Sequence, residues 1–255
     1  MEQSILFNNI CRINGLNLSP QQVDLFERYA GLLLEWNAKL NLISRKDQEN
    51  LWESHLLHSV AILFGRRVPE EIRVLDVGSG GGLPGIPLAI VKPGWSVTLL
   101  DSIGKKTLAL QDIVGRLGTG RIEVVNGRVE ESAIIAGRRG KYDLVVARGV
   151  APLAQLAKWS RPYLKKRPEV TNEKNEVTKE KNEATDEKNE VTRAGPGKFL
   201  PVPSMLAYKG GDLEEELKEL RIKVHGTVQR VDHLVFPGSA EAGLEGKKLV
   251  VLQFT

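Results

Sequence analysis

The chain has 255 residues, of which 41% are hydrophobic, so it is long enough and apolar enough to bury a core. Its formal net charge is +4, and residues 171–193 hold seven acids and five bases, which leaves +6 for the rest of the chain. A basic body of this kind fits a polyanionic partner. The single cysteine, Cys11, excludes an internal disulfide framework and a cysteine-based zinc site.

The sequence also limits where the protein is expected to act. No apolar run approaches the roughly 20 residues that cross a bilayer, and residues 1–11 lack the pattern of a signal peptide. The four histidines show no spacing typical of metal ligands. We therefore expect a cytoplasmic, monomeric protein with no membrane segment and no metal site.

Residues 1–69 are predicted to form a helical region packed on the core. Ser19 is the expected cap of a helix, with Pro20 in its first turn and Gln22 three residues after the cap. A second helical run is expected over residues 48–64. An apolar stripe at steps of three or four residues follows the first cap: Leu25, Tyr29, Leu32, Trp36 and Leu40.

Residues 70–255 are predicted to form a doubly wound α/β sheet. Short apolar runs typical of buried parallel strands begin at residue 72, and helical stretches separate them. The C-terminal part differs, because two β-rich runs follow a strand and a helix there and predict an antiparallel edge. The predicted strands are 72–77, 96–100, 122–125, 144–147 and 204–208, the helices are 84–91, 105–117 and 212–220, and the β-rich runs are 222–236 and 248–255.

A low-complexity insertion at about residues 168–197 interrupts this pattern. Lys174, Lys181 and Lys188 each begin a repeat of seven residues. Each repeat has one apolar position, whereas a coiled coil needs two per heptad to build its seam. We therefore expect a solvated, flexible insertion between a helix and the next strand.

The strongest motif is a glycine-rich loop between the first predicted strand and a helix. Glycines let the backbone turn tightly and approach a ligand, and free N–H groups at the helix start suit a negative group. Gly80, Gly82 and Gly85 match the dinucleotide fingerprint, and Asp101 ends the second strand, placed for a ribose hydroxyl. The loop is Asp76-Val77-Gly78-Ser79-Gly80-Gly81-Gly82-Leu83-Pro84-Gly85.

S-adenosylmethionine (SAM) is the competing ligand for this loop. An acidic residue two positions before the first glycine, as Asp76 is before Gly78, is common in SAM methyltransferases. Pro84 and Pro87 restrict the loop at the helix start, which suits an amino-acid moiety, since no diphosphate has to be cradled. The loop and Asp101 together predict a nucleotide-type cofactor, either a nicotinamide dinucleotide or SAM.

Further motifs occur in order along the chain. They are Trp36-Asn37 with Leu40-Asn41-Leu42-Ile43, His55-Leu56-Leu57-His58-Ser59, the glycine loop extended to Ala89, Leu99-Leu100-Asp101-Ser102 with Lys105-Lys106, Arg128-Val129-Glu130-Glu131, Ala147-Arg148-Gly149-Val150-Ala151 and Tyr208-Lys209-Gly210. From about residue 20 to 255, except the insertion, the set resembles the RsmG (GidB) family of bacterial methyltransferases. The resemblance implies a Rossmann-like fold that uses SAM to methylate N7 of one guanine in 16S ribosomal RNA, with that RNA or the small ribosomal subunit as partner.

Positions carried over from the family imply SAM contacts in the loop, beyond the third strand and after the fourth. The chain departs from the family's usual Arg-His-x-Leu-Asp-Ser, because Ser54 and His58 replace its arginine and aspartate. A salt bridge or RNA contact made there in relatives is therefore not carried over. With Gly80 and Asp101 added from the loop itself, the cofactor-binding candidates are Gly78, Gly80, Leu83, Asp101, Val129, Glu130 and Arg148.

Basic residues at or beyond predicted strand ends form a second group, because that edge of an open α/β sheet faces the ligand. A cation against N7 would oppose formation of the cationic product ring. These side chains are therefore assigned to phosphates, to the carboxylate of SAM or to other base-edge acceptors. His55, on the second helix, is a further candidate. The RNA-binding candidates are His55, Lys105, Arg128 and Lys209, with Lys106 at the same edge.

The chemistry of each possible target atom narrows the mechanism. Guanine N7 has a free lone pair and needs no general base, so a positioning mechanism without a catalytic residue is expected. Methylation of cytosine C5 would need a cysteine nucleophile, and Cys11 is distant from the loop ends. Methylation of an exocyclic amine commonly uses an Asn/Asp-Pro-Pro-aromatic motif after the fourth strand. This chain has Ala147-Arg148-Gly149-Val150 at that place. An NAD-dependent oxidoreductase and a non-catalytic SAM-binding ribosome-assembly factor remain alternatives.

Overall fold

A central sheet organises the chain in the computed structural model, which describes residues 2–44, 48–119, 121–166, 192–193 and 198–254. Its main strands are β1 (Arg73–Val77), β2 (Ser96–Asp101), β3 (Ile122–Asn126), β4 (Leu144–Arg148), β5 (Ser204–Gly210), β6 (Thr227–His233) and β7 (Lys247–Phe254). They lie in the order β3-β2-β1-β4-β5-β7-β6, and the two-residue strand Thr192–Arg193 pairs with β6. Strands β1 to β5 are parallel to one another, whereas β7 is antiparallel to β5 and β6. The predicted doubly wound sheet with an antiparallel C-terminal edge is confirmed.

Helices cover both faces of the sheet. On one face, α1, α2, α4, α5 and the segment around residue 57 share a core with Val74 of β1. On the other face, Leu75 of β1 contributes to a second core with α7 and α8. This double burial explains why the parallel strands are continuous apolar runs. The helices are α1 (Glu2–Ile13), α2 (Pro20–Asn37), α3 (His58–Val60), α4 (Gly85–Val91), α5 (Gly104–Leu117), α6 (Ser132–Arg138), α7 (Leu153–Ser160) and α8 (Glu214–Lys223), and a π-helical turn (Trp52–Leu57) and a 3-10 turn (Ala61–Leu63) flank α3.

The N-terminal helices are held on the sheet by specific contacts. Ser19 and Gln22 form the predicted capping box, and the Gln22 side chain also donates to the carbonyl of Ile90 at 2.9 Å. Helix α1 lies within the region predicted to be helical, although its own bounds were not predicted, and it buries Phe7 and Ile10 in the same core as α2 and α4. Because this core includes side chains from both sides of residue 69, the division into residues 1–69 and 70–255 stays a prediction.

The repeat insertion lies almost wholly outside the described residues, so its expected solvated state is untested. Among the helices of the described part, none is long and apolar enough to cross a membrane. The described residues also contain no group of three His, Cys, Asp or Glu side chains able to hold a metal ion. The topology places the carboxyl ends of β1, β2, β4 and β5 along one edge, where a cleft opens.

Candidate functional site

Two adjoining pockets lie at the carboxyl edge of the sheet. The larger is a cleft of about 930 Å³ that the glycine loop, β4, β5 and the N-terminal helices line. The smaller, of about 200 Å³, lies beyond the ends of β2 and β3. Gly78 and Val150 line both pockets, so these two residues stand where the pockets meet. This edge is where open α/β sheets bind their ligands.

The glycine loop has a backbone shape that other residues would strain. Gly78, Gly80 and Gly82 have φ angles of +67°, +57° and +94°. A Cβ at Gly78 would lie 2.6 Å from Cγ2 of Val150, and one at Gly85 would lie 2.8 Å from Oδ2 of Asp76. Left-handed φ angles and these close approaches together explain the glycine content of the loop.

Asp101 connects the loop to the start of α5. Its Oδ2 accepts a hydrogen bond from the Gly80 N–H at 2.9 Å, and its Oδ1 accepts one from the Ile103 N–H at 2.9 Å. The carboxylate also lines the smaller pocket. Its part in fixing the loop is therefore structural, and the ribose contact expected from the sequence stays a prediction.

Asp76 is fully buried beneath the same loop. Its Oδ2 accepts a hydrogen bond from the Gly85 N–H at 2.8 Å, and its Oδ1 has no hydrogen-bond partner. Burial, opposed by the Gly85 bond and by the charge of Arg148, raises the pKa of this carboxyl to about 7. A buried acceptor without a partner lies directly under the loop.

The N-terminal helices supply one wall of the cleft. The buried hydroxyl of Tyr29 donates to the carbonyl of Gly81 at 2.8 Å. Oδ1 of Asn37 accepts hydrogen bonds from the N–H groups of Leu42 and Ile43, which brings the segment after α2 alongside the loop. The wall consists of Leu42, Ile43, Ser44, Ser54, His55 and His58.

Arg148, a cofactor candidate, crosses the cleft floor to this helical wall. Its Nη1 donates to the carbonyl of His55 and to Oγ of Ser59, both at 3.2 Å, and its Nη2 lies 3.1 Å from Nδ1 of His55. The Tyr208 hydroxyl donates to the carbonyl of Ser59 at 2.7 Å. Burial, with the charges of Arg148 and other groups, lowers the pKa of His58, so that imidazole is neutral. The predicted RNA contact at His55 thus coincides with a structural contact.

Lys209 is held by protein groups on the other side of β5. Its Nζ donates to the carbonyl of Ala151 at 3.0 Å and to Oε2 of Glu216 at 2.8 Å. The same Oε2 accepts the Leu153 N–H at 3.0 Å, at the start of α7. Lys209 and Glu216 therefore tether the loop after β4, which carries Val150, and no sequence motif pointed to Glu216. The RNA contact expected of Lys209 is untested, and these bonds favour a structural role.

The remaining sequence candidates divide between the pockets. Val129, Glu130 and Arg128 line the smaller pocket, where the Arg128 guanidinium is exposed and 3.9 Å from the Glu130 carboxylate. Lys105 is exposed at the start of α5 and lines neither pocket. Of the other predicted residues, the larger cleft brings together His55, Gly78, Gly80, Leu83, Arg148 and Lys209. Residues to which the sequence analysis assigned no role in the site also line it: Trp159, Tyr208 and Lys247, with Val150 at the junction.

The pockets fit SAM, the cofactor that the sequence resemblance implies. The smaller pocket combines apolar walls with carboxylates, which suits a nucleoside. The two pockets meet at Gly78 and Val150, where a side chain on residue 78 would clash with Val150. Asp101, Val129 and Glu130 would hold the nucleoside part, while the loop from Gly78 to Leu83 would face the amino-acid part.

Comparison with known proteins shows which proteins this chain is similar to. A family model described as GidB, rRNA small subunit methyltransferase G, matches residues 22–200. A Moorella thermoacetica protein named ribosomal RNA small subunit methyltransferase G is 30% identical over 94% of this chain and 85% of its own length. The protein of that name from Chlorobium luteolum is 43% identical over 63% of this chain and 66% of its own length. Among solved structures, M. jannaschii TYW2 in complex with AdoMet is 12% identical with a TM-score of 0.44, covering 75% of this chain and 71% of that one.

Proposed function

The chain belongs to the GidB family, rRNA small subunit methyltransferase G, and on that premise we propose that it transfers a methyl group from SAM to N7 of a guanine in 16S ribosomal RNA. The observation that carries the proposal is the pair of pockets that meet at Gly78 and Val150. One pocket has the size and lining for a nucleoside, and the other is wide enough to receive a base. The net charge of +6 outside residues 171–193 suits an RNA partner.

The base has to leave its RNA stack to enter a cleft at the end of a sheet. Enzymes that act on a base inside RNA or DNA receive it unstacked in a pocket. Here the larger cleft lies between the glycine loop and the helical wall, and its volume of about 930 Å³ exceeds that of the adjoining pocket several-fold. We assign the base to this cleft, beside Val150.

Catalysis by this chain consists of binding and orientation. SAM, when bound, supplies an electrophilic methyl group on a sulfonium, and guanine N7 already has the lone pair that accepts it. The protein therefore has no proton to remove. Its contribution is to hold the acceptor in line and exclude water, an effect that in well-oriented reactions lowers barriers by about 7–11 kcal/mol.

The histidine at the cleft floor adds no charge that would oppose a ring that becomes cationic. The two terminal guanidinium nitrogens of Arg148 contact neutral groups on the helical wall. His58 is neutral because burial and nearby cations lower the pKa of its imidazole. The floor therefore adds no imidazolium charge to oppose the developing charge on the base.

Other target atoms have less support in the structure. Cys11 is buried in α1 and lines neither pocket, and burial raises the pKa of its thiol to about 12, which disfavours a nucleophilic role. The segment after β4 carries Gly149, Val150 and Ala151 into the cleft, without the side chains that commonly bind an exocyclic amine. These observations favour N7 over C5 or an amine.

Methyl transfer to small subunits that lack the modification tests the proposal. Tritiated SAM should label 16S RNA, and nuclease digestion should release the label as N7-methylguanosine. Label in a C5-methylated or amine-methylated nucleoside would contradict the target atom. Tight binding of SAM without any labelled RNA would instead support a non-catalytic assembly factor, and micromolar binding of NAD but not SAM would support an oxidoreductase.

A further inference from the structure

Besides Lys209, two lysines line the larger cleft from different elements of the fold. Lys106 lies in the first turn of α5, and Lys247 is the first residue of β7. Within the part of the chain that the structure describes, neither ammonium makes a hydrogen bond or an ion pair, whereas Lys209 and Arg148 are both engaged. Positive charges without counter-charges in a cleft attract anions.

The pleat of β7 directs Lys247 toward the cleft. Successive side chains of a strand point to opposite faces, and Lys247 shares the face of Leu249, which packs in the core beneath the N-terminal helices. Lys248 points to the other face, where its Nζ lies 2.7 Å from the carbonyl of Gly211. Lys247 and His58 both line the cleft, and the charge of Lys247 contributes to lowering the pKa of His58.

Lys106 and its neighbour Lys105 also differ in their direction, as Lys247 and Lys248 do. Lys106 is half-buried and lines the cleft, whereas Lys105 is exposed and does not. In the sheet, β2, which leads into α5, is separated from β7 by β1, β4 and β5. At about 4.8 Å between strands, β2 and β7 are about 19 Å apart, and Lys106 lies in the helix that follows β2. The two ammonium groups are therefore placed to contact different anionic groups.

We propose that Lys106 and Lys247 bind phosphate groups of the substrate RNA on either side of the nucleotide that enters the cleft. This inference rests on the proposed function and adds to it the residues that hold the RNA backbone. Contacts to phosphates fix the register of a nucleic acid without reading its sequence. Two cations at separate ends of a cleft would hold the backbone of a short single-stranded segment while its base lies between them.

The salt dependence of RNA binding tests the proposal directly. Each phosphate contact contributes about 0.7–0.9 to the slope of log Kd against log salt concentration. We therefore expect Lys106→Gln and Lys247→Gln each to lower that slope by about this amount with unmodified small subunits as ligand. The matched control Lys248→Gln should keep the slope of the unsubstituted chain, because its ammonium lies on the other face of the strand, and Lys247→Arg should keep it too.

The affinity for SAM, measured by calorimetry on the same proteins, shows whether the lysines bind RNA phosphates or the carboxylate of SAM. Unchanged SAM affinity in Lys106→Gln and Lys247→Gln supports RNA phosphates as the ligand. A weaker affinity for SAM at an unchanged salt slope would overturn the proposal and assign the lysines to the cofactor carboxylate. An equal loss of slope in Lys248→Gln would overturn it as well, because the overall positive charge of the protein would then explain binding. Absence of methyl transfer by the unsubstituted chain would contradict the proposed function, whereas normal transfer with unchanged slopes would contradict only the lysine assignment.

Discussion

Val150 packs against the backbone of Gly78, so closely that a Cβ added to Gly78 would lie 2.6 Å from Cγ2 of Val150. The two residues belong to different loops, one after β1 and the other after β4. Their contact forms the boundary between the smaller pocket and the larger cleft. The positions of both loops therefore determine how the smaller pocket, assigned to the nucleoside of SAM, is placed relative to the larger cleft, assigned to the base.

Gly78→Ala should damage both the fold and the cofactor site. At a φ of +67° an alanine costs about 1–2 kcal/mol, and its Cβ would also displace Val150. We expect a lower free energy of unfolding in urea and an affinity for SAM weaker by about tenfold or more, equivalent to about 1.4 kcal/mol. Adding Val150→Ala should recover the part of the loss that comes from the side-chain clash.

Gly115→Ala provides the control for this substitution. Gly115 lies inside α5, where an added Cβ would meet no neighbouring atom within 4 Å, and its φ is not left-handed. Alanine there should stabilise the helix by about 0.5–1 kcal/mol and leave SAM affinity unchanged. If Gly78→Ala behaved like Gly115→Ala, the close contact with Val150 would have no functional importance.

Asp76 should make the stability of the cofactor-free protein depend on pH. Because burial raises the pKa of its carboxyl to about 7 from the ordinary value of 3.8, the folded state binds more protons than the unfolded state between these values. The free energy of unfolding should therefore fall as pH rises from about 4 to about 7, by at most about 4 kcal/mol. Urea titrations at several pH values should show this fall, and Asp76→Asn should reduce it.

The comparison between the two proteins isolates Asp76 from other titrating groups. An asparagine has no charge to desolvate. The free energy of unfolding of Asp76→Asn, relative to that of the unsubstituted protein, should therefore rise steadily between about pH 4 and about pH 7. Parallel profiles for the two proteins would show that Asp76 keeps an ordinary pKa in the folded state.

Glu216→Ala should loosen the loop after β4. It removes the acceptor of both the Lys209 ammonium and the Leu153 N–H, so we expect a loss of about 1–2 kcal/mol in the free energy of unfolding. Since this loop carries Val150, the KM for SAM should rise as well. Glu215→Ala, at an exposed position of the same helix, should change neither quantity. A normal KM for SAM in Glu216→Ala would show that the tether does not position Val150.

Tyr29→Phe should weaken the support of the glycine loop from α2. The variant leaves the carbonyl of Gly81 without its buried donor, at an expected cost of about 1–3 kcal/mol, and SAM affinity should fall with it. Tyr142→Phe is the matched control, because its hydroxyl bonds Oγ1 of Thr98 away from both pockets. That variant should lose stability while keeping its affinity for SAM. Equal SAM affinities in the two variants would rule out a specific role of Tyr29.

Most of the sheet could be predicted from the sequence because its parallel strands are buried on both faces. Such strands are short apolar runs, and the predicted run 144–147 differs from the observed strand Leu144–Arg148 by a single residue. Residues 1–69 were predicted to be helical, but the bounds of α1 were not predicted, because no capping residue in the sequence marks its start, although Ser4, Phe7 and Cys11 recur at helical spacing. Its apolar face becomes evident when the partner surface on α2 is known.

The site was less predictable, because its assignments depend on which face a side chain occupies. Tyr208 and Lys209 are adjacent in one motif, yet Tyr208 points to the helical wall and Lys209 points to Glu216. The motif shows that both residues are near the edge, but only the pairing of β5 with β7 shows their directions. Lys247 lies outside every motif that carried the family resemblance, and its place in the cleft follows from its pairing with Gly210.

The central claim is that the chain methylates guanine N7 in 16S ribosomal RNA, and chemical cleavage of the product RNA tests it most directly. Borohydride reduces N7-methylguanosine, the reduced base is then lost, and aniline cleaves the RNA backbone at that position. After reaction with SAM, small-subunit RNA should break at a single guanosine, and RNA treated with Gly78→Ala protein should break there much less. Incorporation of methyl label without cleavage at any guanosine would contradict the account, because the methyl group would then be on a different atom.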